Sequence, residues 1–65
     1  MSTENNARFA AACRALRAAG LTQAEIARRL GLSGQSMVSR LALGRVTPTL
    51  RTVLAVEALV RKVAP

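Results

Sequence analysis

The chain has 65 residues, 51% of them hydrophobic but only 2% aromatic, and a formal charge of +7 with a pI near 11.9. That length accommodates one domain, residues 1–65, whose small core is marginal without oligomerisation or very regular helix packing. With no His, and with Cys13 the lone cysteine, neither a disulfide nor a zinc site can reinforce it.

The acids are Glu4, Glu25 and Glu57, Lys62 is the one lysine, and there is no Tyr. No base and nucleophile can be paired from that set, so an enzyme is not expected, and neither is a cofactor or a small-molecule ligand. The nine arginines instead favour a polyanionic partner, either nucleic acid or an anionic membrane. No signal peptide is visible: Glu4, Asn5 and Asn6 precede any apolar stretch, and Arg14 and Arg17 interrupt the alanine-rich segment after them. The run from Val53 to Val60 is broken by Glu57 and falls short of the roughly 20 residues that span a bilayer. A cytoplasmic location is expected.

Alanine supplies much of the apolar content, and the class expected is all-α, a bundle of four helices or five. The first helix is expected over about Thr3 to Ala19, with Thr3 as N-cap and Phe9, Cys13 and Leu16 at helical spacing; Gly20 ends it. The second opens on Thr22, with Glu25 three residues later completing a capping box and Leu21 placed to staple onto Ile26. Ile26, Ala27 and Leu30 face inward, and Gly31 stops the helix.

A third helix is expected from Ser33 or Gly34 to Leu43, with Ser33 able to cap it, Val38 and Leu41 inward, and Gly44 at its end. A loop over Arg45 to Pro48 comes next. The last helix, about residues 50–63, is capped by Thr49, or by Thr47 with Pro48 at N1. It is apolar around much of its circumference, more than one small core needs, which suggests a partner. Val53, Val56, Leu59, Val60 and Val63 are the candidate dimer residues.

The stretch Gln23-Ala24-Glu25-Ile26-Ala27-Arg28-Arg29-Leu30-Gly31-Leu32-Ser33 resembles the lambda-repressor-like (Cro/C1, XRE-type) helix-turn-helix family. It shares the Leu-Thr-Gln start, a small Ala27 where two helices cross, Gly31 at the turn and Leu32 directly after. The resemblance continues through Gly34-Gln35-Ser36, Val38, Leu41, Gly44 and Pro48, from about Leu16 to Leu59, with the helix-turn-helix itself over residues 22–43. Between Gly31 and Val38 the chain is one residue longer than the commonest family spacing. Either the turn holds an insertion or Met37 takes the core position. Leu32-Ser33, and Thr52-Val53 with Glu57 and Leu59 late, also look like small phage regulators that include anti-CRISPR-associated repressors.

The resemblance implies a third helix lying in the major groove of double-stranded DNA. It implies that Gln35 pairs with adenine, that Arg40 reaches guanine or phosphate, and that Ser36 and Ser39 contact bases or backbone. It makes Gln23 a phosphate ligand and a buttress for Gln35, and Thr22, Arg45 and Arg51 further backbone contacts. Arg28 and Arg29 point away from the groove in this motif. A homodimeric repressor on an inverted-repeat operator is the function implied. The competing readings are an antitoxin, with the same fold gripping a protein partner, and a cationic membrane-active helix. The punctuation by caps and turn glycines argues against the latter.

Overall fold

A computed structural model describes residues 3–63, and their regular structure is helical throughout: α1 (Thr3–Ala18), α2 (Gln23–Leu30), α3 (Gln35–Ala42) and α4 (Leu50–Val63). Four helices form, and no fifth appears among the described residues. α1 begins at Thr3, and the cap expected of that side chain lies outside the described residues.

Local chemistry sets most of the boundaries. At the start of α2, the Glu25 amide donates to Thr22 Oγ1 at 3.1 Å and the Thr22 amide donates to Glu25 Oε1 at 2.8 Å, a complete capping box. The helix ends at Gly31, whose φ of 72° is a left-handed conformation costly for any residue with a Cβ. There the Leu32 amide donates to the Ala27 carbonyl at 2.9 Å and the Gly31 amide to that of Arg28 at 3.3 Å, the bond pair of a Schellman motif. The same pair recurs around Gly44, with Arg45 donating to Arg40 and Gly44 to Leu41. Leu21, just ahead of the α2 cap, packs against the core that contains Ile26, as a hydrophobic staple requires.

Of two expected caps, one is absent and the other settles on the first of its alternatives. Ser33 does not cap α3: an extended Gly34 holds the N-cap position, with no side chain to bond the first amides. The longer turn leaves Ser33 one residue too early. Val38 and Leu41 are the buried residues of α3 while Met37 is half-buried against the core, so the extra residue belongs to the turn. At α4 the cap is Thr49, whose Oγ1 accepts the Thr52 amide at 3.2 Å, and Pro48 is buried just before it.

Phe9, Cys13 and Leu16 of α1 meet Ile26 and Ala27 of α2, Val38 and Leu41 of α3, and Val56 and Leu59 of α4 in one core. α1 packs most extensively on α4, and α2 on α3. Arg8 clamps α1 to α4 through a two-point ion pair with Glu57, Nε to Oε2 at 2.9 Å and Nη2 to Oε1 at 2.6 Å. Asn6 Nδ2 donates to the Val46 carbonyl at 3.1 Å and fastens the loop between α3 and α4 onto α1.

This packing changes the reading of α4. Val53, Val56 and Leu59 are buried inside the protomer, so they are not available to a second copy. Only Val60 and Val63 of the five residues assigned to a dimer remain partly exposed, and both rest against the protomer's own core. The apolar side chains that do face solvent are Leu43 (69% exposed), Val46 (38%), Leu50 (54%) and Leu54 (51%).

Candidate nucleic-acid interface

The amphipathic division of α3 creates the candidate surface. Val38 and Leu41 face the core, which leaves Gln35, Ser36 and Arg40 exposed and Ser39 half-buried. The turn at Gly31 then brings the start of α2 alongside α3. Gln23, Gln35, Ser36, Ser39, Arg40 and Arg45, with Leu43, line a single shallow hollow. Six of the eight residues expected to contact DNA are therefore together.

Thr22 and Arg51 stand apart from that hollow. The Oγ1 atom and amide of Thr22 are committed to the capping box, which leaves its hydroxyl proton as the group able to reach a phosphate. Arg51 is exposed on the first turn of α4. Among the described residues no hydrogen bond joins Gln23 to Gln35, so the buttress takes the form of adjacency.

Two arginines that sequence reasoning left unassigned extend the surface. Gln23 also lines a second hollow with Arg14 and Arg17 of α1 and Ala42 of α3. The two hollows meet at Gln23, so the polar face of α3 continues into the cations of α1. Their positive charge was visible in the sequence, but which side of α1 abuts α2 is a tertiary matter. Cys13 lines this second hollow as a buried residue. Burial pushes its thiol up to about 11 against the opposing pull of Arg17. It stays protonated at neutral pH and packs as a small hydrophobe.

The charge on this face is not neutralised internally. Arg8–Glu57 is the one salt bridge among the described residues. Glu25 is taken up by the cap of α2, where the Thr22 amide and hydroxyl hold its carboxyl below the usual range. Arg14, Arg17, Arg40 and Arg45 are exposed and have no ionic partner among the described residues, as phosphate ligands require. No group of residues among those described can hold a metal ion, and no described helix is long and apolar enough to cross a membrane.

A small helical domain with a close-crossed α2–turn–α3 unit and a cationic, hydrogen-bonding face on α3 defines a DNA-binding transcription regulator. The chain matches the helix-turn-helix family over residues 12–61 and belongs to it, in its XRE or lambda-repressor-like form. That family consists of DNA-binding regulators and not of enzymes. No curated protein and no solved structure matches the chain.

Proposed function

We propose that the protein is a homodimeric repressor that reads an inverted-repeat operator with α3 in the major groove, acting in the cytoplasm as one DNA-binding domain. The observation that carries this reading is the shared surface of Gln23, Gln35, Ser36, Ser39, Arg40 and Arg45. It combines an amide suited to the paired donor and acceptor of adenine with guanidinium groups suited to guanine or phosphate. Arg14 and Arg17 add backbone contacts on the α1 side, and Arg51 on the α4 side.

The dimer contact is assigned to Leu50 and Leu54, flanked by Val46 and Leu43, because these are the large apolar side chains that solvent reaches. Leu43 lines the same hollow as the base-reading residues. To serve successive major grooves, a two-fold contact there has to hold the two α3 helices about 34 Å apart.

An autorepressor binds upstream of its own gene, so that DNA is the fragment to test. Binding to it is compared with binding to a shuffled fragment across a salt series. A preference of about 10³-fold or more is expected of a specific site. Equal and steeply salt-dependent binding to both would reduce the interaction to electrostatics and refute operator reading.

A further inference from the structure

Away from the α3 surface, the end of α2 and the middle and last turns of α4 border an open groove of about 550 Å³. Leu30, Ala55, Ala58 and Leu59 line its apolar part, and Arg29, Arg61 and Lys62 line the rest. Arg29 and Leu30 occupy the end of α2 opposite Gln23, the residue on which the DNA-facing hollows converge. No acid lines the groove.

We propose that this groove docks an acidic amphipathic helix of a partner protein, with carboxylates on Arg29, Arg61 and Lys62 and apolar side chains over Ala55, Ala58 and Leu59. Charge complementarity selects the occupant. A second copy of this chain cannot supply the acid, since Arg8 holds Glu57 and the α2 cap holds Glu25, leaving Glu4 alone. Duplex DNA would satisfy the cations but gains nothing from an apolar floor. The described residues offer an extended peptide no sheet edge and a polyproline segment no exposed aromatic, since Phe9 is buried; the apolar floor beside the cations matches the two faces of an amphipathic helix. Ala55 and Ala58 are small and exposed on one side of α4, which lets a third helix approach closely. The inference does not depend on the repressor reading, because it uses none of the residues on the α3 surface.

The test titrates the full chain against a fluorescein-labelled helical peptide of about 15 residues, Glu on one face and Leu on the other, read by anisotropy. A control peptide keeps every Glu and replaces Leu by Ser. The Leu peptide is expected to bind and the Ser peptide to bind at least about tenfold more weakly. Reversing two rim charges, Arg61→Glu with Lys62→Glu, weakens the Leu peptide by about tenfold, since attraction at both positions becomes repulsion. Arg61→Lys keeps the charge and keeps binding, while Ala58→Glu blocks the floor. These residues are exposed, so circular dichroism is expected to show each variant folded. One equivalent of duplex is expected to leave the peptide bound. Equal binding of the Ser peptide, release by duplex, or parental affinity in the reversed variant would each overturn the assignment.

Discussion

Leu54 offers the sharpest test of how the protein pairs. Leu54 is 51% exposed in the protomer, and Leu50 is 54% exposed. Full burial of a leucine contributes about 1.5–3 kcal/mol, so covering the remaining half of one contributes about 1 kcal/mol. A two-fold contact uses each residue twice. Leu54→Ala should therefore weaken the dimer by about 2 kcal/mol, or about 30-fold. Leu50→Ala together with Leu54→Ala should cost about 4 kcal/mol, close to a thousandfold. Sedimentation equilibrium over a concentration series measures the constants directly. Val60→Ala is the comparison, because Val60 rests on the protomer's own core and should leave association unchanged. Urea melts at concentrations where the protein is monomeric should show little change for Leu54→Ala, which separates pairing from folding. Parental dimerisation in the double variant would refute the assignment, as would a parent that stays monomeric on a duplex bearing two half-sites.

Replacing Gln35 by Ala should relax discrimination at one operator position by about 1–3 kcal/mol while the salt dependence stays the same; Arg17→Ala should weaken all sequences alike and lower the salt slope by about 1. Titrations of matched and mismatched duplexes at several salt concentrations distinguish the two. The hydrogen bond from Arg8 holds the Glu57 carboxyl below its usual range. The unfolded chain therefore takes up protons first as pH falls, so stability from this pair is present above about pH 4–5 and is lost as pH drops through the folded value. Thermal midpoints across that window should fall for the parent and fall less for Glu57→Gln. Gly31→Ala should cost about 1–2 kcal/mol in chemical denaturation. That cost lies wholly in the backbone, since a Cβ placed there meets nothing within 4 Å, and Gly31→Asn should recover part of it.

The helix boundaries were legible because capping is local. Thr22 with Glu25, and Gly31 at a left-handed turn, state their roles within a few residues of sequence. The division of α3 was readable only to within one residue, because the spacing left Val38 and Met37 as alternative core positions until the packing put Val38 inside. The α3 cap was less so. An additional turn residue moves Ser33 out of capping position, and nothing in the local pattern distinguishes that from a shift of the helix.

Four helices and the helix-turn-helix were readable from the sequence alone, since capping and turn signals act between near neighbours; whether a fifth helix follows was left to the structure. Only the tertiary structure decided the rotation of α4. A helix apolar on several sides has no single inward stripe, and packing against α1 turned Val53, Val56 and Leu59 into the core and left Leu50 and Leu54 outside. The same packing joined Arg14 and Arg17 to the α3 face through Gln23, because which arginines share a surface depends on how helices distant in sequence cross.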